Sequence, residues 1–185
     1  VESEFYGGDE EFELARQNMA VNSTAEVFKD KDGELVKIGN PTEIALLKWM
    51  HKNGPDYEIY RDRMDMIEQI PFSTEAKLME TTAVIENGAE PIRFIKGAPE
   101  IVLSMCDVIA GNQTKEHITS VLENYQSRAM RTLGFAYQKL GDNESREIVF
   151  LGVVGIADPI RDDVKEAIET CKNNAGVRVI IVTGD

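Results

Sequence analysis

Apolar residues recur at helical spacing in several stretches of this chain, and residues that start or stop helices bound each stretch. Asp9 is a candidate cap for the first helix, while Asn40 and Pro41 supply a cap and a first-position proline for the second. Glycines at Asn53-Gly54 and at Gly176 mark helix ends. The pattern predicts helices over residues 10–21, 41–53, 99–105, 114–130 and 162–171.

Runs rich in β-branched and aromatic residues lie between these helices and predict strands. Two short runs flank Asp30-Lys31-Asp32-Gly33, whose Asp-Gly pair suits a hairpin turn. Asn87-Gly88 has the same chemistry between two later runs, so antiparallel pairing is the simplest arrangement. The predicted strands are residues 27–28, 35–38, 64–72, 78–86, 92–96, 133–140 and 147–156.

The pattern changes after Asp158-Pro159, where a helix is followed by a continuous apolar run at residues 177–182. Such a run is typical of a strand buried in a parallel sheet, and a helix leading into it is half of a βαβ unit. We therefore expect an α+β domain over residues 1–157, with an antiparallel sheet flanked by helices. Residues 158–185 are expected to form the truncated start of a second, α/β domain.

Composition and charge exclude several classes of protein. Hydrophobic residues make up 42% and charged residues 29% of the 185 residues, which is typical of a folded globular chain. The formal net charge is -13 and no basic stripe is present, so we expect no binding to nucleic acid. Cys106 and Cys171 lack metal-ligand spacing and lie far apart, so neither a zinc site nor a disulfide is expected, and a reducing compartment fits best.

The sequence pattern predicts neither a membrane span nor a secretion signal. The longest nearly apolar run, residues 148–157, has about ten residues, whereas a spanning helix needs about 20. The chain starts at Val1 with an acidic segment and not with a basic region followed by an apolar one. This start, together with an end directly after a strand-like run, leads us to expect a piece excised from a longer protein.

Local motifs taken singly do not establish a function. The sequence has no Gly-x-x-x-x-Gly-Lys-Ser/Thr loop and no Gly-x-Gly-x-x-Gly, and the isolated His51 and His117 receive no role. Pro71-Phe72-Ser73 is compatible with an ordinary strand end that carries a core phenylalanine. Lys96-Gly97-Ala98-Pro99-Glu100 is compatible with a plain connection from a strand to a helix.

The joint occurrence of several motifs is more specific. In chain order they are Gly39-Asn40-Pro41-Thr42-Glu43, Pro71-Phe72-Ser73 with Lys77, Lys96-Gly97-Ala98-Pro99-Glu100, Met130-Arg131-Thr132-Leu133-Gly134-Phe135-Ala136, Asp158-Pro159-Ile160-Arg161 and Thr183-Gly184-Asp185. This set resembles cation-transporting P-type ATPases, and the calcium-pump branch most. The resemblance spans nearly the whole chain and implies the nucleotide-binding domain of such a pump, followed by the start of its phosphorylation domain.

The resemblance implies an ATP site built from residues of four of these motifs. Phe72 would stack on adenine, an interaction worth roughly 1–3 kcal/mol for bases on aromatic side chains elsewhere. Glu43 would accept a hydrogen bond from the adenine amino group. Lys96 would lie at the base of the pocket and Lys77 nearer its mouth, and Arg131 would bind a phosphate of the triphosphate tail.

Further roles implied by the resemblance fall near the end of the chain. Asp158, Pro159 and Arg161 would form the hinge between the nucleotide-binding and phosphorylation domains. The residues that would approach the transferring phosphoryl group and its magnesium ion in the closed pump are Thr183, Gly184 and Asp185. The expected cofactors are ATP and the Mg2+ that accompanies the nucleotide, with no metal ligand in this chain.

One motif of the family is absent from this sequence. These pumps phosphorylate the aspartate of an Asp-Lys-Thr-Gly-Thr motif, which the sequence lacks. Asp30-Lys31-Asp32-Gly33-Glu34 has neither threonine and lies between two predicted strands, so we interpret it as a hairpin turn. No catalytic residue is therefore expected here. The phosphorylated aspartate would lie before Val1, and the membrane helices with the ion sites would also lie outside the chain.

The resemblance predicts a domain at the cytoplasmic face of the cell membrane that holds ATP for γ-phosphoryl transfer in a calcium-exporting pump. Its expected partners, besides ATP, are the phosphorylation and actuator domains of the same parent chain. Sodium, manganese and magnesium pumps remain alternatives. Two other functions stay open: a fragment of a haloacid-dehalogenase-like phosphohydrolase, suggested by the strand-like run before Thr183, and a non-enzymatic acidic interaction or regulatory module.

Overall fold

Helices and strands are interspersed along the chain in an α+β order. The computed structural model describes residues 1–85, 90–141, 146–157, 163–174, 176–180 and 182. The helices are α1 (Asp9–Val21), α2 (Pro41–Asn53), α3 (Tyr57–Asp62), α4 (Pro99–Met105), α5 (Lys115–Ser127) and α6 (Asp163–Asn173), with a 3-10 helix at Ala110–Asn112. The strands are β1 (Glu2–Phe5), β2 (Glu26–Lys29), β3 (Leu35–Ile38), β4 (Met64–Ile70), β5 (Leu78–Ile85), β6 (Ile92–Gly97), β7 (Val108–Ile109), β8 (Arg131–Lys139) and β9 (Val149–Ile156).

Most of these strands join a seven-stranded sheet. Its order is β1-β9-β8-β6-β5-β4, and β7 pairs with β9. The neighbours along this order are antiparallel, whereas the short β7 lies parallel to β9. The strands β2 and β3 form a separate antiparallel hairpin. The predicted α+β class with an antiparallel sheet flanked by helices is therefore confirmed.

Helices cover both faces of the sheet, because its central strands are apolar on both sides. On β6, Phe94 packs into a core with α1, α2 and α3, whereas its neighbour Ile95 packs on the opposite side with α4 and α5. Phe135 and Ala136 of β8 divide in the same way. Since successive strand side chains point to opposite faces, an apolar run in the middle of the sheet builds two cores at once.

A buried network of amide side chains fastens α1 to the centre of the sheet. Nδ2 of Asn18 donates to backbone oxygens of β6 and β8 at 3.0 and 2.9 Å. Nδ2 of Asn22 donates to the Met79 carbonyl at 3.1 Å, and Oγ1 of Thr81 donates to Oδ1 of Asn22 at 2.9 Å. Both asparagines are 0% exposed, so these bonds satisfy polar groups that water does not reach. The network fixes the end of α1 and the loop of residues 22–25 that follows it.

The helices and strands predicted within residues 1–157 are confirmed, with small shifts of their ends. The cap of α1 is Gly8 and not Asp9: the Gly8 N–H donates to Oε2 of Glu11 at 2.7 Å. Asp9 instead occupies the first turn, where its negative charge interacts favourably with the helix dipole and stabilises the helix. The interpretation of Phe72 as a core residue is wrong, since it lies beyond the end of β4 and is 57% exposed.

The sequence analysis missed the elements β1, α3, β7 and the 3-10 helix. Each is too short to show a periodic pattern, and each forms because of a partner elsewhere. The strand β1 pairs with β9 from Glu2 opposite Gly155 to Phe5 opposite Gly152. The helix α3 buries Tyr57 within the core that α1 and α2 share. Tertiary contacts therefore decide these elements.

The last part of the chain differs from the prediction in one element. The helix α6 forms as predicted, and beyond it the N–H of Val177 donates to the Cys171 carbonyl at 2.9 Å. The strand predicted over residues 177–182 is wrong for the described residues 177–180 and 182, which are assigned to no strand. Val182 is exposed. A strand needs a neighbour that pairs with its backbone groups, and no strand of the described residues provides one, so apolar character alone does not form it.

Several predicted features fall outside the described residues. They are the turn at Asn87-Gly88, the hinge residues Asp158, Pro159 and Arg161, and the residues Thr183, Gly184 and Asp185. Their roles stay predictions, as does the domain boundary after residue 157.

The amide network generates a prediction for stability. Asn22→Ala removes the acceptor of the Thr81 hydroxyl and a donor to the Met79 carbonyl inside the core. Because buried polar groups left without partners cost about 1–3 kcal/mol each, we expect the free energy of unfolding to fall by about 3 kcal/mol. Urea denaturation followed by circular dichroism measures this loss. The exposed Asn124→Ala on α5 serves as the control, and a loss for Asn22→Ala no larger than for this control would contradict the role of the network.

Candidate functional site

A cleft of about 600 Å³ opens between the start of α2, the connection from β4 to β5, the end of β6 and the start of β8. The candidate site residues of the sequence analysis that the structure describes all line it. They are Glu43, Phe72, Lys77, Lys96 and Arg131. Four segments that are far apart in the sequence are therefore brought together at one place.

Glu43 reaches the cleft because the start of α2 is well defined locally. Oδ1 of Asn40 accepts from the Thr42 N–H at 2.8 Å, and Pro41 occupies the first helical turn. These features fix the orientation of the first turn, which carries Glu43. The glutamate is only 8% exposed, so its carboxylate is directed into the protein.

Lys96 lies at the base of the cleft and pairs with Glu43. It is 4% exposed, and its Nζ donates to Oε1 of Glu43 at 2.6 Å. The second carboxylate oxygen, Oε2, accepts from the backbone N–H of Thr24 at 3.1 Å and from its Oγ1 at 3.0 Å. Both oxygens of the carboxylate are thus held, one by a strand of the sheet and one by the loop that follows α1.

Burial and pairing act against each other on these two groups. Burial tends to raise the pKa of Glu43, but the charge and hydrogen bond of Lys96, together with the Thr24 donors, outweigh it and leave the pKa below its usual value. Burial lowers the pKa of Lys96, an effect that the Glu43 carboxylate opposes and the positive charge of Arg61 reinforces. The pair is held as ions because each partner compensates the other.

The connection from β4 to β5 places Phe72 and Lys77 at the rim of the cleft. The Lys77 N–H donates to the Ser73 carbonyl at 2.8 Å, and the Ala76 N–H donates to Oγ of Ser73 at 3.0 Å. Lys77 has a φ of 54°, a left-handed conformation that is uncommon for a residue with a side chain. This tight turn leaves the Phe72 ring uncovered at the edge of the cleft.

Gly97 allows this connection to approach the end of β6. A Cβ atom at Gly97 would lie 2.3 Å from the Lys77 carbonyl oxygen, and the Ala98 N–H donates to that same oxygen at 3.0 Å. Any residue larger than glycine would push the two segments apart. The glycine of the motif therefore keeps Lys77 close to Lys96.

Arg131 closes the cleft on the side of α2. Its Nη1 donates to Oγ1 of Thr42 at 2.6 Å, and its side chain is exposed, like that of Lys77. The charged lining residues are thus three bases and one carboxylate, in a chain whose net charge is -13. The cleft suits an anionic ligand with a flat apolar part, because Phe72 offers an exposed ring beside the charges.

Sequence reasoning missed two residues that hold these side chains. Thr42 belongs to a motif that was recognised but received no role, although its place beside Glu43 on the first turn of α2 pointed to the cleft. Thr24 had no such signal, because its contact with Glu43 joins segments that only the packing of α1 against the sheet brings together. The structure adds both to the candidate site.

The segment that partly resembles the phosphorylation motif is a hairpin turn, as predicted. Asp30 stands between β2 and β3, and its Oδ1 accepts from the N–H groups of Asp32 and Glu34, both at 2.9 Å. Gly33 follows with a φ of 82°. The Asp30 carboxylate is therefore used to form the turn.

The part of the chain that the structure describes contains no group of three or more histidine, cysteine, aspartate or glutamate side chains arranged to hold a metal ion. Its helices are too short or too polar to cross a membrane. His51 contacts Asp56 at 2.8 Å and His117 contacts Glu4 at 2.5 Å, both at the surface and away from the cleft.

Comparison with known proteins shows what this chain is similar to. A family model described as the cytoplasmic domain N of P-type ATPases matches residues 12–163. The chain is 37% identical over 183 residues to the plasma membrane-type calcium-transporting ATPase 4 of Arabidopsis thaliana, covering 91% of this chain and 18% of that protein. It is 38% identical over 187 residues to the calcium-transporting ATPase PAT1 of Dictyostelium discoideum, covering 93% of this chain and 16% of that protein.

A bacterial relative is similar to this chain over a comparably small part of its own length. The calcium-transporting ATPase of Bacillus subtilis (strain 168) is 34% identical over 175 residues, covering 85% of this chain and 19% of that protein. The chain therefore spans less than a fifth of the length of these relatives.

The buried ion pair generates a prediction for stability and its pH dependence. Glu43→Gln leaves the Lys96 ammonium buried without a carboxylate, so we expect the free energy of unfolding at pH 7 to fall by about 3–5 kcal/mol. The loss of the carboxylate lowers the pKa of Lys96 further. Above this lowered pKa, Lys96 has lost its proton in the folded chain but keeps it in the unfolded chain. The free energy of unfolding of the variant therefore rises with pH. Urea denaturation between pH 7 and about pH 9.5 therefore shows a decreasing difference in the free energy of unfolding between wild type and Glu43→Gln.

A double variant supplies the control for the ion pair. Replacing both charges in Glu43→Leu/Lys96→Met leaves no unpaired charge, and we expect it to be more stable than Glu43→Gln alone. A Glu43→Gln protein with unchanged stability at pH 7, or with a deficit that grows as the pH rises, would contradict the pairing.

Proposed function

The chain belongs to the family of the cytoplasmic domain N of P-type ATPases, and from that premise we propose that its cleft binds ATP for a calcium-exporting pump. The observation that carries the proposal is the meeting of the exposed Phe72 ring with three basic side chains in one cleft of about 600 Å³. This volume lies within the roughly 300–1,000 Å³ of small-molecule sites.

The adenine end of the nucleotide contacts Phe72 at the rim of the cleft and reaches Glu43 deeper inside. Phe72 stacks on the purine ring, which contributes roughly 1–3 kcal/mol. Glu43 accepts a hydrogen bond from the exocyclic amino group, since a carboxylate has about four acceptor positions and three are in use. Lys96 closes the base of the site and keeps Glu43 ionised.

The phosphates lie at the mouth of the cleft. The exposed Lys77 and Arg131 supply positive charge there, and the fork of Arg131 suits phosphate oxygens. Arg131 and Thr42 also line a second cleft, whose other charged residues are Lys37 and Lys48. Positive charge thus continues past Arg131 along the path of a polyphosphate tail. A magnesium ion would accompany the nucleotide and offset part of the negative charge of its phosphates.

The domain holds ATP and transfers no phosphate by itself. The Asp-Lys-Thr-Gly-Thr motif is absent from the sequence, and Asp30 is used in a hairpin turn. The γ-phosphoryl group therefore goes to an aspartate outside this chain, in the phosphorylation domain of the parent protein. Together with the actuator domain, that domain is the partner of this one at the cytoplasmic face of the membrane. The relatives named calcium-transporting ATPases support calcium as the ion.

Phe72→Ala tests the adenine site. We expect the wild-type chain to bind ATP with a dissociation constant on the order of 1 mM, which corresponds to about -4 kcal/mol. Binding is weak because the other domains of the pump, which would also contact the phosphates, are not part of this chain. Loss of stacking weakens binding by roughly 5- to 150-fold, so the dissociation constant rises to about 5 mM or more. Amide NMR shifts on titration with ATP report both values and show which residues respond.

Phe28→Ala is the matched control, because Phe28 is a partly exposed phenylalanine on the β2–β3 hairpin that does not line the cleft. Its ATP affinity stays at the wild-type value. A wild-type chain without saturable shifts at Glu43, Phe72, Lys77 and Lys96 would reject the proposal and favour the interaction module.

Covalent labelling separates the proposal from the phosphohydrolase alternative. After incubation with ATP labelled at the γ-phosphate and with Mg2+, the acid-precipitated chain carries no label, since the acceptor aspartate is absent. A label that hydroxylamine removes would reveal an acyl phosphate and contradict the assignment. Asp30→Asn would then show whether Asp30 is the acceptor.

A further inference from the structure

We propose that Thr24 is a positioning residue that makes the cleft select a 6-amino purine over a 6-oxo purine, by holding Glu43 in one orientation as a pure hydrogen-bond acceptor. This inference rests on the proposed function, because it concerns the purine that the cleft binds. Neither the motifs nor the relatives assign a role to Thr24 or to the loop of residues 22–25.

The hydrogen bonds of Glu43 carry the first step. Nζ of Lys96 donates to Oε1 at 2.6 Å, while the N–H and Oγ1 of Thr24 donate to Oε2 at 3.1 and 3.0 Å. A carboxylate that receives three donors is ionised and can only accept from a fourth group. An exocyclic amino group satisfies that remaining position, whereas a carbonyl oxygen placed there is repelled.

The contact of Thr24 is needed in addition to that of Lys96. The terminal torsion of a glutamate is broad and roughly two-fold, so a single ion pair at Oε1 leaves the carboxylate free to rotate. Two donors on Oε2, one of them a backbone N–H, remove that freedom. Thr24 also lines the cleft, so its hydroxyl holds the carboxylate within the site itself.

Arg61 makes the loop rigid enough to do this. Its Nη2 donates to the carbonyl oxygens of Ser23 at 3.2 Å and Ala25 at 2.9 Å, the residues on either side of Thr24, and its Nε donates to the Ala20 carbonyl at 2.8 Å. Its guanidinium lies 4.7 Å from the centre of the Tyr57 ring. The planar fork of an arginine thus clamps both sides of Thr24.

The ring of Tyr57 is itself anchored to the next strand. Its Oη accepts from the Val27 N–H at 3.1 Å and donates to the Val27 carbonyl at 3.3 Å. On the other side of Thr24, Asn22 is tied to the sheet by the amide network. The direction of the Thr24 donors therefore follows from two independent anchors.

The test compares nucleotides that differ at the N1–C6 edge of the purine. Dissociation constants are measured by NMR titration for ATP, inosine triphosphate and purine riboside triphosphate, which carry an amino group, an oxygen and a hydrogen there. The proteins are wild type, Thr24→Val, Thr24→Ser and Arg61→Lys. Thr119→Val is the matched control, because the Thr119 hydroxyl bonds only within α5, to the Lys115 carbonyl.

The expected result is a change in selectivity. Wild type prefers ATP to both analogues, and Thr24→Val reduces the ratio of inosine triphosphate to ATP dissociation constants by about threefold to tenfold, the value of one hydrogen bond. Thr24→Ser restores the ratio, Arg61→Lys lowers it, and Thr119→Val leaves it unchanged. ATP affinity falls at low pH, where Glu43 becomes protonated, and this fall is called the acid limb. In Thr24→Val the acid limb moves to higher pH, because the loss of a donor to the ionised carboxylate raises the pKa of Glu43.

These results separate the inference from the proposed function. A wild-type chain that binds none of the nucleotides overturns the proposed function and the inference together. A wild-type chain that prefers ATP, combined with a Thr24→Val protein that keeps the wild-type ratio and acid limb, overturns the inference alone. Equal weakening of all three nucleotides by Thr24→Val would show a merely structural role and also overturns it.

Discussion

The buried ion pair between Glu43 and Lys96 constrains the whole cleft. Two opposite charges taken out of water are tolerable only if they meet with good geometry and if the remaining carboxylate oxygen is also bonded. That requirement fixes α2 against the end of β6 and draws the loop after α1 onto the same carboxylate through Thr24. The Glu43 carboxylate therefore positions three segments: the first turn of α2, the end of β6 and the loop after α1. The space between these segments forms the inner part of the cleft.

Several contacts of the surrounding scaffold support this pair. The Asn18 and Asn22 side chains bond the sheet from the side of α1, so the loop that carries Thr24 starts from a fixed point. Gly97 lets the turn before β5 touch the end of β6, which keeps Lys77 beside Lys96. Arg61 holds the carbonyl groups of the loop itself. Rigid backbone thus surrounds a site whose outer charges, Lys77 and Arg131, remain exposed for a ligand.

Under the proposed function, this domain of the P-type ATPase family binds ATP and leaves the phosphoryl transfer to another domain of its parent protein. A chain of net charge -13 places three bases around one cleft, yet Asp30, the residue that partly imitates the phosphorylated aspartate, is used in a hairpin turn. The separation is physically reasonable, because a domain that only holds ATP can bind it weakly and release it after the γ-phosphate has left. Binding and chemistry can then be coupled by movement of whole domains.

The sequence by itself determined most helices and strands, the α+β class, the hairpin at Asp30 and the motifs that identify the family. Caps, turn residues and periodicity act between residues close along the chain, so their effect can be read locally. Only the tertiary structure decided that Glu43 meets Lys96 and Thr24, that Phe72 is exposed and not part of the core, and that residues 177–180 form no strand. Burial, ion pairing and strand pairing each need a partner from a distant segment, and packing alone determines which segment that is.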